Sequence, residues 1–401
     1  MKQKTDCIAC GQVDLIEIID LKSQPLANSY HNGEKLKEYP LGLNLCKNCY
    51  HLQLTHIVNP DELFKNYLYV SGTTKTLRDY FDWFAKWSIN KVKPREKKVL
   101  DIACNDGSQL DSFKQLGWKT FGIDPAENLF PISSKKHTVV CKYFDASFFS
   151  EKFDIIIAQN VFAHTENALE FLQSAEKLMH EDSLLFIQTS QAEMIKNNQF
   201  DTIYHEHISF FNTNSMLSLS KRSNLKLVNV EKTHIHGISY IFTFSKFSNP
   251  DSNVNKILES EFDDGLLNQE TYLKYSRNVN KIVSDLKQYI ENQQSKGFKV
   301  VCYGAAAKGM TLLNYGKIIP DIIVDDNRMK VGLFTPGTNV KIQDPCILKE
   351  IKENLVIMPL AWNFYDEIKQ KVQINRENFA DIWVKYFPKL EIIKDDKNSK
   401  I

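Results

Sequence analysis

Apolar residues recur along this chain with two alternating periods, and the alternation predicts an architecture before any chemistry is considered. Short apolar runs of strand length lie at 98–102, 120–123, 155–159, 184–188, 225–230 and 239–245. Helical stretches separate them until the last two, so one α/β sheet unit is expected over 97–248. Upstream, Leu63, Phe64 and Tyr67, then Leu77, Tyr80, Phe81 and Phe84, fall at helical intervals over 61–96. The hydroxyl-rich break at 68–74 reads either as an N-cap for the next helix or as a lid that brings hydroxyls to a ligand. A charged helical connector is expected over 249–298. A second strand–loop–helix then opens at Val300, with further strands after Asp321 and at 355–359, in a domain over 299–393. The polar tail 394–401 reads as frayed.

Composition changes this picture only by exclusion. A chain of 401 residues has room for two or three domains, each with its own core. Hydrophobic residues at 43% and charged residues at 25% are ordinary globular values. Fifty basic and 49 acidic residues leave a net charge of +1, which recruits neither nucleic acid nor an anionic membrane. The N-terminal Met-Lys-Gln-Lys-Thr-Asp-Cys has no apolar signal core, and no apolar run reaches membrane-spanning length. A cytoplasmic protein is expected, and a monomer is compatible with the chain. Eight cysteines in that compartment argue for metal or free thiols and against a disulfide framework.

Four of the cysteines are paired. Cys7-x2-Cys10-Gly11 and Cys46-x2-Cys49 are thiolate knuckles, each able to grip one ion from a tight turn. Two such turns complete a tetrahedral site of four sulfurs. No coordination position is then left for water, so a structural Zn2+ that staples a module over 1–60 is expected. His51 and His56 lie close by and read as packing residues.

The stretch from Lys98 to Asp124 carries the densest nucleotide-binding signal. A strand ends at Asp101, a small-residue loop containing Asn105 and Gly107 follows, and a second strand ends on Asp124. That is the first β-α-β of a nucleotide-binding sheet, where the loop passes close to the ligand and the second acid suits ribose hydroxyls. The loop lacks the dinucleotide G-x-G-x-x-G. Acid-x-small-x-Asn-Asp-Gly instead resembles motif I of S-adenosylmethionine (SAM) methyltransferases. The buried strand from Asp154 ends at Asn160 and His164, where the carboxyl ends of an open parallel sheet line a crevice.

Phe200-Asp-Thr-Ile-Tyr-His-Glu-His-Ile-Ser-Phe-Phe-Asn212 places a phenol, two imidazoles and a carboxylate in consecutive positions at Tyr204, His205, Glu206 and His207. Removing a proton from carbon and stabilising an enolate needs such groups. A metal reading and a polar structural turn are the other possibilities; the zincin pattern needs His-Glu-x-x-His, which is not present. In the C-terminal domain, Gly304-Ala-Ala-Ala-Lys308-Gly309-Met-Thr nearly spells a Walker A loop. Met310 stands where the phosphate lysine belongs, so ATP hydrolysis is not expected. A small-residue loop opening a helix can still cradle a pyrophosphate. The expected fold class is therefore α/β, a small N-terminal zinc-binding module plus two Rossmann-like α/β domains.

Together these blocks, with Asn-Val-Phe-Ala-His164, Tyr-Gly-Ala-Ala-Ala-Lys308-Gly-Met-Thr-Leu-Leu-Asn314, Pro-Gly-Thr338 and Trp-Asn-Phe364, resemble the three-part SAM-dependent sugar C-methyltransferases over nearly the whole chain. The best-known members are the 3-C-methyltransferases of nucleotide-linked keto-deoxysugars. The resemblance implies SAM as methyl donor, held by Asp101, Asn105, Gly107 and Asp124, and a nucleotide sugar as acceptor. It implies His207 as the base with Glu206 beside it, and Tyr204, His164 and the lid tyrosine Tyr69 around the sugar. Glu206 and His205 remain candidates for the base. Lys308 and Asn314 would hold the nucleotide diphosphate, and Asn160 would meet the substrate.

Two departures from the family stand out. His236-Gly-Ile-Ser-Tyr-Ile241 replaces His-Gly-Gly-Ser-Leu-Arg, and Asp325-Asp-Asn-Arg328 replaces Asp-Arg-Asn-Pro. Both alter charge on the acceptor side, so a capsule or lipopolysaccharide sugar could stand in for an antibiotic one. The rival readings are an O-methyltransferase on a nucleotide sugar, a nucleic-acid methyltransferase and an NAD-dependent oxidoreductase. Neutral charge and faulty glycine spacing weigh against the last two.

Overall fold

The structure, a computed structural model, describes residues 1–64, 71–189, 193–235 and 237–394. The chain divides into two compact units. The first comprises Met1–Glu17, Asn44–Ala192 and Glu206–Gln269; the second comprises Ile18–Leu43, Glu193–His205 and Glu270–Ile401.

In the first unit, helix α1 (Lys75–Ile89) precedes strand β1 (Lys98–Ile102). Then come α2 (Ser108–Gln115), β2 (Lys119–Ile123), β3 (Thr138–Val140), β4 (Phe153–Gln159), α3 (Ala168–Lys177), β5 (Met179–Thr189), α4 (Thr213–Ser220), β6 (Lys226–Thr233), β7 (Ser239–Ser245) and α5 (Ser252–Asp263). The seven strands form one sheet in the order β6-β7-β5-β4-β1-β2-β3. Strands β1 to β5 are parallel, whereas β7 is antiparallel to both β5 and β6. The order of the strands reverses between β1 and β4, which makes the topological switch point.

Both faces of this sheet are covered, which explains why its strands read as continuous apolar runs. The α1 stripe of Leu77, Tyr80, Phe81 and Phe84 packs on one face with Val99, Ile155, Ile157 and Phe186. Leu100, Ile156, Leu185 and Ile187 turn to the other face, against Phe171 and Leu172 of α3 and Met216 of α4. Ile155, Ile156 and Ile157 are fully buried, each contributing about 1.5–3 kcal/mol of hydrophobic stabilisation. Thr74 accepts the Leu77 N–H at 3.3 Å and caps α1, in keeping with the N-cap reading of the hydroxyl-rich break.

The second unit holds α6 (Gln269–Ser295, which starts at the unit boundary), β8 (Lys299–Tyr303), α7 (Ala307–Gly316), β9 (Ile322–Val324), β10 (Ile342–Gln343), β11 (Leu355–Pro359), α8 (Tyr365–Arg376), β12 (Ile382–Lys385) and β13 (Glu391–Lys394). Its sheet runs β10-β9-β8-β11-β12-β13, parallel except for β13. Val301, Val324, Ile357 and Trp383 pack against Tyr365, Ile368 and Val372 of α8. Both α/β domains are thus Rossmann-like, as the strand pattern predicted. Among the described residues no helix is long and apolar enough to cross a membrane.

Candidate active site and metal centre

The two cysteine knuckles converge. Cys7 and Cys49 place their sulfurs 3.6 Å apart, Cys10 and Cys46 3.5 Å, and all four sulfurs lie within 4.8 Å of one another. Tetrahedral Zn–S bonds of about 2.3 Å require sulfurs about 3.8 Å apart, so the set fits Zn2+. Each knuckle needs a left-handed residue after its second cysteine; Gly11 supplies it at φ 77° and Tyr50 at φ 57°. Contact with Cys46 raises the Cys7 and Cys49 thiols, a crowding that a bound cation would relieve. His51 is not a fifth ligand: it is fully buried, pairs through Nε2 with the Ser209 hydroxyl at 3.2 Å, and is pushed down to about 3 by burial.

At the carboxyl end of β1 the structure brings Asp101, Asn105, Gly107 and Asp124 together. Ala103, Asn105 and Gly107 all take positive φ, which winds the loop tightly onto the strand end. Asp124 organises it, accepting the Asn105 N–H at 2.8 Å on one oxygen and the Ala126 N–H at 2.8 Å on the other. The Asn105 side-chain oxygen in turn accepts N–H groups from Ser71 and Asp106 at 3.0 and 2.9 Å. Gly107 is required twice over: φ is 84°, and a Cβ there would stand 2.8 Å from the His137 ring.

Asp101 is buried beneath this loop. Burial first, then the negative charges of Asp124 and Asp106, raise its carboxyl well above the ordinary value; burial also raises Asp124. Asp101, Asp106 and Asp124 gather three acids around one strand end. SAM carries an ammonium and a sulfonium, so these residues fit it.

The next strand ends carry further polar groups. Asn160 takes φ 52° and donates its N–H to the Gln188 carbonyl at 3.0 Å. His164 ends the short helix Phe162–His164, and its Nδ1–H donates to the backbone carbonyl of Glu206 at 2.6 Å. A second backbone hydrogen bond, with Asn160, also acts on the ring. Burial lowers the pKa of His164, keeping it neutral. The His164 and His207 rings lie 5.2 Å apart, and Glu206 and His207 are both buried.

The boundary between the units falls inside the Tyr-His-Glu-His block, after His205. On the second unit's side, His205 Nε2 donates to the Tyr39 carbonyl at 3.2 Å, and burial pushes the ring down to about 4. It is therefore a weak base at neutral pH. Tyr69 lies outside the described residues.

Comparison with known proteins follows the same order along the chain. Residues 7–64 match the family model described as "Putative zinc binding domain", 73–230 a "Methyltransferase domain", and 234–388 a "C-methyltransferase C-terminal domain". C-methyltransferase NovU of Streptomyces niveus is 26% identical over 388 residues, 90% of this chain and 91% of that protein. The chain is a SAM-dependent C-methyltransferase. A ubiquinone biosynthesis O-methyltransferase of Glaesserella parasuis is 35% identical over 106 residues, only 23% of this chain and 45% of that protein. The solved structure of magnesium protoporphyrin IX methyltransferase from Synechocystis with bound SAM aligns at a TM-score of 0.34 and 14% identity, over 42% of this chain and 79% of that one.

In the methyltransferase's C-terminal domain, Lys308 lies in the first turn of α7, with Nζ 4.7 Å from the Trp362 ring centroid. Asn314 lies about 9 Å further along the helix axis and donates from its side chain to the Pro336 carbonyl at 3.2 Å. The structure therefore places these two candidates apart. Sequence reasoning assigned no role to Gln109, Gln159 and Gln188 near the strand ends, although Gln159 and Gln188 are register partners on β4 and β5. Gln159 donates to Gln109 at 3.0 Å, and both amide atoms of Gln188 are buried without a partner. It also quoted Asp201 without assigning it a role; a lone acid inside a run of apolar and aromatic residues was the available signal.

Proposed function

We propose that this methyltransferase acts on a carbon next to the ketone of a nucleotide-linked keto sugar, through an enolate, with SAM as methyl donor. The observation that carries this reading is the His164–Glu206–His207 cluster, set in the same unit as the acid-lined donor loop. Methylating a hydroxyl needs one base; methylating carbon needs a base and also a surround that tolerates an enolate.

His207 is the proposed base. It takes the α proton, and the C–H electron pair becomes the enolate. His164, hydrogen-bonded to the Glu206 carbonyl, fixes the backbone that delivers His207. Tyr204 and Tyr69 are assigned to the sugar and its developing oxyanion. Asn160 is assigned to the substrate, and Lys308 and Asn314 to the nucleotide diphosphate. His205 is set aside as the base because its ring is pushed to about 4 and tied to Tyr39. SAM, when bound, supplies an electrophilic methyl, held through its cationic groups by Asp101 and through its ribose by Asp124.

The test is direct. Purified protein, SAM carrying a labelled methyl and a panel of 4-keto nucleotide sugars should give a product whose NMR signal is that of a methyl on carbon. In heavy water without SAM, the same sugar should exchange its α proton. His207→Asn should lose both by about 100-fold or more, the range of a general base. An O-methyl product, or undiminished exchange in the variant, would overturn the reading.

A further inference from the structure

The stretch 193–205, which leads into the Tyr-His-Glu-His block, belongs to the same compact unit as the C-terminal α/β domain. Its contacts with that domain concentrate at one place. Asp201 accepts the Trp362 indole N–H on one carboxylate oxygen at 2.8 Å. The Ile203 carbonyl accepts the Thr311 hydroxyl at 3.2 Å. The Phe200 ring stands edge-on to Tyr315 and to Phe387, both at 5.8 Å between centroids. Asn198 donates to the Pro388 carbonyl at 3.1 Å.

Trp362 follows the carboxyl end of β11, and Lys308, Thr311 and Tyr315 lie on α7, which follows β8. β8 and β11 flank the switch point of this sheet, since β9 continues on the other side of β8. Open α/β sheets take a ligand at that crevice. Here Asp201 reaches Trp362, just past the carboxyl end of β11.

Asp201 is fully buried, and besides the indole its carboxylate is met by the backbone N–H groups of Thr202 and of Asp201 itself. A buried carboxylate is costly unless it is hydrogen-bonded, so these donors hold Asp201 in one place. Its indole partner is also the ring over which the Lys308 ammonium sits, so the buried acid, a half-buried indole and a half-buried cation form one cluster.

We propose that Asp201 is a positioning residue for methyl transfer: anchored to Trp362, it fixes from the C-terminal domain the chain that goes on to Tyr204, Glu206 and His207. This rests on the reading of Glu206 and His207 as catalytic groups. Asp201 itself touches neither donor nor acceptor; it removes the backbone freedom that would let the base drift. The electrostatics agree: burial raises Asp201 to about 6, opposed by Lys308 and the indole N–H.

Three variants of the full-length protein test this: Asp201→Ala, Asp201→Asn, which keeps an acceptor oxygen without the charge, and Trp362→Phe, which keeps the ring without the N–H. Asp201→Ala should lower kcat about 100-fold while acceptor KM and SAM Kd stay within threefold. Hydrogen exchange of the amides over 202–207 should quicken at least tenfold. Trp362→Phe should show the same pattern at about tenfold in kcat, Asp201→Asn a smaller loss, and Asp201→Ala/Trp362→Phe no more than Asp201→Ala alone. A kcat within threefold of wild type, or a loss of SAM binding in step with kcat, would overturn the proposal. If no nucleotide sugar is methylated by the wild type, the functional reading fails, and the exchange measurement alone decides the anchor: unchanged protection over 202–207 in Asp201→Asn and Trp362→Phe rejects it.

Discussion

The two Rossmann-like domains share a wiring that their sequences do not advertise. In the first, Asp124 accepts the Asn105 and Ala126 N–H groups, one on each oxygen. In the second, Asp325 accepts the Ala305 N–H at 2.6 Å and the Asn327 N–H at 2.7 Å in the same way. An acid after the second strand thus ties down the loop after the first strand in both. What differs is the charge beneath that loop. Asp101 pairs in register with Gly122, two residues before Asp124; the corresponding partner of Ile323, two before Asp325, is the neutral, fully buried Cys302. The second loop is also satisfied from outside: the Ala305 carbonyl accepts from Lys330 Nζ at 2.7 Å and from the Tyr30 hydroxyl. The acid after the second strand is therefore loop support, common to both domains. A buried acid under the loop is what the first domain has and the second lacks, and it carries the proposed donor site.

The largest expected break between the domains follows from the metal. Cys7, Cys46 and Cys49 belong to the same apolar cluster as Ile156, Leu185 and Ile187 of the first sheet, whereas none of the four knuckle cysteines is in the cluster that packs Val301, Ile357 and Trp383 of the second sheet on α8. Structural zinc contributes on the order of 10 kcal/mol to such modules. Cys46→Ser, or chelation, should remove one zinc per chain and abolish SAM binding. Hydrogen exchange should show β4 and β5 losing protection while β8 and β11 keep theirs. Zinc-free protein that binds SAM normally would dissolve this difference.

Asp101→Asn comes next. Its folded pKa is raised above the unfolded value, so its contribution to stability is present at low pH and is lost as pH rises through the folded pKa. Without SAM, the wild type should lose stability from about pH 4 upward relative to the variant. The asparagine protein should be the more stable of the two at neutral pH. It should also bind SAM roughly 100-fold more weakly, the size of a charge-assisted hydrogen bond. Thermal melts against pH and calorimetric titration give both numbers. A variant that is less stable than wild type at pH 7.5 and keeps its affinity would remove the charge argument.

Much of this was legible in the sequence, and the division between what was and what was not is physical. Strand runs such as 155–159 announce themselves because both faces are buried, and the knuckles because zinc demands their spacing. The Asp101–Asp124 loop was legible from its small residues. The Tyr-His-Glu-His block was legible as chemistry, but adjacency could not separate its members. Separating them took the Tyr39 carbonyl on His205 and the Glu206 carbonyl on His164, contacts between residues distant in sequence. Asp201 was hidden for the same reason: its meaning depends on Trp362, far along the chain. Lys308 and Asn314, adjacent in motif, separate because a helix turns between them.

The smallest effect sharpens the comparison most. Asp325→Asn keeps one acceptor oxygen and loses the charge that steadies the second loop, so it should cost about 1–3 kcal/mol in urea unfolding and leave SAM Kd within twofold. Lys330, whose pKa burial lowers and Asp325 raises, would lose its nearby counter-charge, which adds to the cost at neutral pH. The matched Asp124→Asn should show a similar stability cost together with a SAM affinity at least tenfold weaker. If both substitutions weaken SAM alike, the two acids do more than hold their own loops, and the distinction drawn from Asp101 and Cys302 fails. If only Asp124→Asn does, identical wiring serves a donor site in one domain and pure support in the other, separated by one buried carboxyl.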